Sequence, residues 1–138
     1  QFVSDNPMRF EIEIEGDSMV YTDQTRLSTI IKNLASNAAK YRNLHHEQCL
    51  VRFELRTTDR AMHFKVIDNG IGIPDEEKDK VFQMFYRVST DRMGTGLGLF
   101  IVKEITNKLK GTIVLESNVN EGTSVEIILP VMPTSTLV

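Results

Sequence analysis

Alternating apolar and polar residues predict strands along much of the chain. Phe10, Ile12 and Ile14 alternate with glutamates, which is the period-two pattern of a half-buried strand. The same period predicts a hairpin at 51–56 and 62–68, a second pair of strands at 112–116 and 123–129 and, after a turn at 16–17, a short return strand at 19–21. The predicted strands therefore come in consecutive pairs.

Apolar residues at helical spacing predict three helices between these pairs. The longest begins at a cap, Thr22 or Asp23, and runs for about five turns to 41–43. A second long helix covers 99–109 and ends at Gly111. A shorter helix is predicted over 75–85, where three acidic residues occupy the first turn and aromatic residues follow.

The order ββ-α-ββ-α-α-ββ indicates an α/β (α+β) two-layer sandwich. In this class the helices lie on one face of a mixed, mostly antiparallel sheet. We expect a single domain over 1–138, with its core at about 9–130 and a frayed tail at 131–138.

Composition and charge narrow the range of partners. Hydrophobic residues make up 41% of the chain and charged residues 25%, and the net charge is −3, so we expect neither nucleic acid nor a membrane as a partner of this domain. No apolar run reaches the roughly 20 residues of a membrane helix. Cys49 is the only cysteine, which favours a reducing, cytoplasmic setting. Because the chain lacks an initiator Met, we expect a segment of a longer protein, whose own membrane anchoring stays open.

Two asparagines on the first long helix form the first candidate site. Asn33 and Asn37 lie four residues apart and share a stripe with Lys40 and Tyr41, away from the core stripe. Asparagine is a poor helix-interior residue, and its amide oxygen is a hard ligand suited to Mg²⁺, which takes phosphates as further partners. The stripe therefore indicates a magnesium and phosphate site, with a solvated face as the alternative.

The second candidate is the segment 68–73, which ends a predicted strand. The Asp68 carboxylate can accept a hydrogen bond from the exocyclic amine of adenine, whereas guanine presents an oxygen there and is repelled. Gly70 and Gly72 let the backbone approach a ligand closely. An ordinary turn after a strand needs the same residue types and stays the alternative.

A second glycine-rich segment, 94–99, runs straight into the second long helix. Backbone amides at a helix start form an anion site, and a flexible loop is the alternative interpretation. Arg87, just before this segment, either pairs with phosphate or is solvated. His45 and His46 are interpreted as surface residues rather than as ligands or phosphoacceptors.

In this order, the motifs resemble those of the ATP-binding catalytic domain of sensor histidine kinases, in the superfamily that includes gyrase, Hsp90 and MutL. Residues 33–41 look like the N box, 68–73 like the first glycine box, 81–87 like the phenylalanine box and 94–99 like the second glycine box. Gly122 and Thr123, before 127–130, are similar to the start of the family's closing strand. The resemblance covers about 9–130 and implies the Bergerat ATP-binding fold.

The resemblance also implies ATP and Mg²⁺ as ligands. Asn37 would bind the metal, with Asn33 and Lys40 near the phosphates as the other catalytic residues. Asp68 would hold the adenine amine, and Thr123 would lie near the adenine. The other residues that the resemblance assigns to the nucleotide site are Tyr41, Gly70, Gly72, Ile73, Phe85, Arg87, Gly94, Thr95, Gly96, Leu97, Gly98 and Leu99. The glycines of 94–98 would hinge a short lid at 88–94, with Arg87 and Arg92 as its candidate cations.

One position separates the members of this superfamily. Gyrase-type members carry a glutamate that activates water four residues before the magnesium-binding asparagine, and here that position is Asn33. This favours phosphoryl transfer to a histidine over hydrolysis, since neutral imidazole is already a nucleophile near pH 7.

The acceptor histidine is not recognisable in this chain. We therefore expect it on a dimerisation domain of the parent protein, with the receiver domain of a response regulator as the next partner and the isolated domain as a monomer. Two other functions stay open: an ATP-binding regulatory or interaction module without kinase activity, and an anti-sigma-type serine kinase.

Overall fold

Two α-helices and a five-stranded sheet dominate residues 8–16, 20–87 and 96–133, the part of the chain that the computed structural model describes. In chain order the elements are β1 (Met8–Glu15), β2 (Val20–Tyr21), α1 (Gln24–Lys40), β3 (Cys49–Thr57), β4 (Ala61–Asp68), α2 (Gly98–Lys108), β5 (Thr112–Asn118), β6 (Gly122–Pro130) and β7 (Met132–Pro133). The large sheet has the order β1-β3-β4-β6-β5, and β2 pairs with β7. The predicted α+β sandwich is confirmed.

Local sequence signals set both ends of α1. The Asp23 side chain accepts a hydrogen bond from the backbone N–H of Arg26 (3.0 Å), so Asp23 is the cap. At the other end, the N–H of Tyr41 donates to the carbonyl of Asn37 (3.1 Å). The apolar stripe between these ends is buried at Ile30, Leu34 and Ala38.

The core lies between the helices and one face of the sheet. Its buried hydrophobic residues are Ile30, Leu34, Ala38, Val51, Met62, Phe64, Val66, Val102, Val125, Ile127 and Leu129. The helices α1 and α2 also pack against each other. No helix in the described ranges is long and apolar enough to cross a membrane.

The predicted pairing of the first two strands is wrong. Strand β1 pairs in parallel with β3, with Phe10 opposite Val51, while β2 pairs antiparallel with β7. Neighbouring parallel strands need a crossover connection, which α1 supplies because it lies between β1 and β3 in the sequence. This pairing also lets Phe10 stack on Phe53, with ring centroids 6.3 Å apart. Within the segment predicted as a frayed tail, residues 132–133 form β7, and 134–138 lie outside the described residues.

The predicted helix at 75–85 is also wrong. Only Asp75–Glu77 forms a 3₁₀ turn, and further turns follow it. Backbone bonds here span three residues rather than four, as from the N–H of Lys80 to the carbonyl of Glu77 (2.9 Å). Phe85 then takes a φ of 66°, which no α-helix can contain.

Candidate functional site

An open cleft of about 740 Å³ lies between the helices, the end of β4 and β6. The predicted site residues that line it are Asn37, Lys40, Tyr41, Asp68, Gly72, Ile73, Gly96, Gly98, Leu99 and Thr123. The sequence motifs, which are far apart along the chain, therefore meet around one cavity.

Asp68 is the acidic residue at one end of the cleft. Its Oδ1 accepts hydrogen bonds from the backbone N–H groups of Gly70 (2.8 Å) and Thr123 (3.2 Å). Oδ2 has no hydrogen-bond partner among the described residues. Burial raises the pKa of this carboxyl from 3.8 to about 6, although the two amide hydrogen bonds lower it. The fold thus keeps one oxygen for structure and leaves the other for a donor from a ligand.

Two glycines allow the backbone to pack closely around Asp68. A Cβ on Gly70 would lie 2.5 Å from the carbonyl oxygen of Tyr41, so only glycine fits between the end of α1 and Asp68. Gly122 has a φ of +120°, and a Cβ there would lie 1.9 Å from the Asp68 carbonyl oxygen. The start of β6 can therefore approach the end of β4 closely enough for Thr123 to reach the carboxylate.

A buried hydroxyl network lies behind Thr123. Ser117 on β5 is 5% exposed, and its Oγ lies 2.8 Å from the Oγ1 of Thr123. The backbone N–H of Ile73 donates to the same Ser117 oxygen (2.8 Å). The network ties the loop after β4 to the turn between β5 and β6, and so fixes the wall of the cleft on both sides of Asp68.

Asn37 and Lys40 lie at the α1 side of the cleft. In the described part of the chain no hydrogen bond occupies the side-chain amide of Asn37, which lines the cavity. The Nζ of Lys40 lies 6.0 Å from the centre of the Tyr41 ring, which also lines the cleft. An amide oxygen and an ammonium group therefore line the same cleft.

Asn33 lies one turn before Asn37 but does not line the cleft. Its amide NH₂ donates to the carbonyl of Thr29 (2.8 Å), and a Cβ on Gly98 would lie 3.4 Å from its Oδ1. Asn33 therefore faces the start of α2. The first turn of α2 holds no acidic residue, so the partial positive charge of the helix end is available where Gly98 and Leu99 border the cleft.

The structure does not place every predicted residue in the cleft. Phe85 is 64% exposed, and its N–H donates to the carbonyl of Gly96 (3.0 Å), which closes the base of the predicted lid. Gly70, Arg87 and Leu97 are not among the residues that line the cleft. The predicted lid at 88–94, its cation Arg92 and the site residues Gly94 and Thr95 lie outside the described residues.

Sequence reasoning missed several residues that line the cleft: Ile71, Val81, Tyr86 and Val125. The strand period could have found Val125, because it lies two residues after Thr123 and shares its face of β6. Val81 and Tyr86 lie in the predicted phenylalanine box, but their direction depends on the turns that replace the predicted helix.

Comparisons with known proteins agree with this geometry. Residues 22–133 match the family described as histidine kinase-, DNA gyrase B-, and HSP90-like ATPase. The chain is 38% identical to the sensor protein CiaH of Streptococcus pneumoniae over 128 residues, covering 90% of this chain and 28% of the relative. It is 35% identical to the sensor histidine kinase WalK of Bacillus subtilis over 120 residues, covering 84% of this chain and 20% of the relative.

Solved structures show the same architecture. The mycobacterial sensor histidine kinase MprB superposes with a TM-score of 0.76 at 30% identity, covering 95% of this chain and 85% of that one. Full-length ShkA in complex with AMPPNP superposes with a TM-score of 0.79 at 25% identity, covering 92% of this chain and 26% of that one.

The chain therefore belongs to the histidine kinase-, DNA gyrase B- and HSP90-like ATPase family. Within that family it is the ATP-binding catalytic domain of a sensor histidine kinase. It spans only 28% of the length of CiaH and 16% of the length of the Escherichia coli sensor ArcB.

Proposed function

We propose that this chain binds Mg²⁺-ATP and transfers the γ-phosphoryl group to a histidine on a dimerisation domain of its parent protein. The receiver domain of a response regulator would take the phosphoryl group next. We further propose that the domain works as a monomeric unit in the cytoplasm, where ATP is available.

The proposal is supported by two sets of residues in one cleft, one suited to a base and the other to phosphates and a metal ion. Asp68 presents an open carboxylate oxygen, which suits the amino group of adenine and repels the oxygen that guanine has there. Asn37 and Lys40, which line the same cleft, suit a metal ion and phosphates. A nucleotide has both kinds of group joined by a ribose, so a single ligand satisfies both sets of residues.

The donor set fits Mg²⁺ bound together with a nucleotide. The described residues hold no group of three or more His, Cys, Asp or Glu side chains that could bind a metal ion by themselves. Mg²⁺ commonly uses one or two protein oxygens and completes its shell with water and substrate phosphates. Asn37 would supply the protein oxygen, and the bound ion would offset the negative charge of the phosphates.

The residues of this chain would contribute mainly by positioning the nucleotide. Asp68 and Thr123 would fix the base, and Lys40 and the start of α2 would hold the phosphates by charge. Tyr41 and Ile73 would cover the nucleotide between these two ends. The acceptor histidine would then need only to approach the γ-phosphate, because a neutral imidazole requires no base to make it a nucleophile.

A calorimetric titration with ATP, GTP and a non-hydrolysable ATP analogue, with and without Mg²⁺, tests the proposal. We expect ATP to bind and GTP not to bind. Asp68→Asn should lower the affinity for ATP by about tenfold or more, because a hydrogen bond to a charged group is lost. Asn37→Ala should abolish the gain in affinity that Mg²⁺ provides.

Two exposed residues outside the cleft provide matched controls. Asp59→Asn, in the turn between β3 and β4, and Asn107→Ala, near the end of α2, make the same chemical changes on the surface. Both should bind ATP as the wild type does. A folded wild-type chain that binds no adenine nucleotide, or an Asp68→Asn variant with unchanged affinity, would contradict the proposal.

A further inference from the structure

A buried serine behind the cleft controls the direction of a hydroxyl proton. The Oγ of Ser117 lies 2.9 Å from the carbonyl oxygen of Gly122, and it accepts the backbone N–H of Ile73 (2.8 Å). A carbonyl oxygen can only accept a hydrogen bond, so Ser117 must donate in its contact with Gly122. The single hydroxyl proton of Ser117 is therefore committed to Gly122.

Because the Ser117 proton is used in this way, it also determines which hydroxyl donates in the contact between Ser117 and Thr123. The Oγ of Ser117 lies 2.8 Å from the Oγ1 of Thr123, and one of the two hydroxyl groups must donate. Since the Ser117 proton already points at Gly122, Thr123 donates to Ser117. Each hydroxyl has one proton, so the Thr123 oxygen offers only lone pairs to the cleft.

The neighbouring side chain of Asp68 is a hydrogen-bond acceptor as well. Asp68 accepts the backbone N–H of Thr123 through Oδ1 (3.2 Å), and Oδ2 is left for a ligand. Asp68 and Thr123 therefore present two acceptors side by side. At the C6 position itself, a purine with an amino group brings a donor to this pair, whereas a purine with an oxygen there brings a third acceptor.

We propose that Ser117 determines the purine specificity of the site without touching the ligand, as a positioning residue that holds the Thr123 hydroxyl as an acceptor. The inference rests on the proposed binding of a purine nucleotide at Asp68. Ser117 is 5% exposed, and the cleft is lined by Thr123 rather than by Ser117. It acts through the direction of a single proton.

The test compares ATP with inosine triphosphate (ITP), in wild type and in Ser117→Ala. The base of ITP differs from adenine only by an oxygen at C6 and a proton on N1. In Ser117→Ala the Thr123 hydroxyl loses its acceptor, and its proton becomes free to bond to that oxygen. We expect the preference for ATP over ITP to fall by about three- to tenfold, the usual weight of one hydrogen bond.

Further variants distinguish an effect of Ser117 on the direction of the Thr123 proton from a purely structural effect. Ser117→Thr restores a hydroxyl and should restore the wild-type preference. Thr123→Val removes the hydroxyl on which Ser117 acts, so adding Ser117→Ala to Thr123→Val should leave the ATP-to-ITP ratio unchanged. Because Ser117→Ala also leaves the Ile73 N–H without its acceptor, circular dichroism checks that the variant is folded. Should it not fold, Ser117→Cys replaces it, with a weaker acceptor and a smaller expected fall.

The outcomes distinguish this inference from the proposed function. An equal loss of affinity for ATP and ITP in Ser117→Ala would mean a purely structural role and would overturn the inference. The inference would also be overturned if Ser117→Ala changed the ATP-to-ITP ratio in the Thr123→Val variant as much as it does in the wild type. In both cases the proposed function would stand, whereas a folded wild-type chain that bound neither nucleotide would overturn the proposed function and the inference together.

Discussion

The Asp68 carboxylate is proposed to bind adenine, and the same group lowers the stability of the folded chain when it is charged. Burial raises the pKa of its carboxyl from 3.8 to about 6, so the folded chain binds more protons than the unfolded chain between these values. The free energy of unfolding therefore falls as the pH rises through this window. The charged carboxylate destabilises the fold at neutral pH, and its proposed role in binding adenine explains why the cleft contains it.

Replacing this carboxyl should remove that pH dependence. Asp68→Asn keeps an oxygen that can accept from Gly70 and cannot ionise. Relative to wild type, the variant should gain stability between about pH 4 and pH 7, by up to about 3 kcal/mol, since one pKa unit corresponds to about 1.4 kcal/mol. Urea unfolding at a series of pH values measures this gain. The exposed Asp59→Asn serves as the control, and parallel curves for wild type and Asp68→Asn would contradict the prediction.

Among the secondary-structure elements, those with a strong periodic pattern could be predicted from the sequence. The helix α1 was predicted with its cap and its buried stripe, because both signals are local. The pairing of β1 could not be predicted in the same way, because it depends on β3, which lies beyond α1. Residues 75–85 have helical composition, but Phe85 must turn back to contact Gly96, and that tertiary contact overrides the local preference.

In the candidate site, too, some residues could be predicted from the sequence and others could not. Asp68 and Asn37 could be predicted because each has a residue type and a position that suit a ligand. Ser117 could not, since a serine in a strand has no distinctive pattern, and its role appears only when β5 and β6 bring it opposite Thr123. Residues proposed to contact the ligand therefore leave a signal in the sequence, whereas a residue proposed to orient them is recognisable only in the fold.

The short strand β7 gives a test at the scale of elements. It pairs with β2 through Val20 opposite Pro133 and Tyr21 opposite Met132, and so joins residues 132–133 to the segment before α1. Deleting 132–138 should lower the free energy of unfolding by about 1 kcal/mol, roughly the net contribution of one backbone hydrogen bond. Deleting only 134–138 is the matched control and should have a smaller effect. Equal stability of the two truncated chains would mean that β7 contributes nothing.

At the scale of the whole molecule, the described residues of the cleft fit the proposal that it holds a nucleotide without hydrolysing it. Of the described residues that line it, Asp68 is the only carboxylate, and it bonds to the Thr123 backbone at the end proposed for the base. Asn37, proposed to hold the metal, carries an amide, which does not act as a base toward water. A bound nucleotide would therefore remain intact until an acceptor arrives.

The lack of a carboxylate base among the described residues beside the proposed phosphate site predicts that the chain alone hydrolyses ATP slowly. With Mg²⁺ and ATP, phosphate release should stay far below the roughly 1 per second at the low end for typical enzymes. Asn33→Glu should raise it by about tenfold or more, because it places a base at the start of α2, and Asn33→Gln should not. A separate dimerisation domain with its acceptor histidine should instead become labelled from γ-³²P-ATP. Rapid phosphate release by the wild-type chain, with no labelling of the acceptor, would mean that the cleft is a hydrolase site.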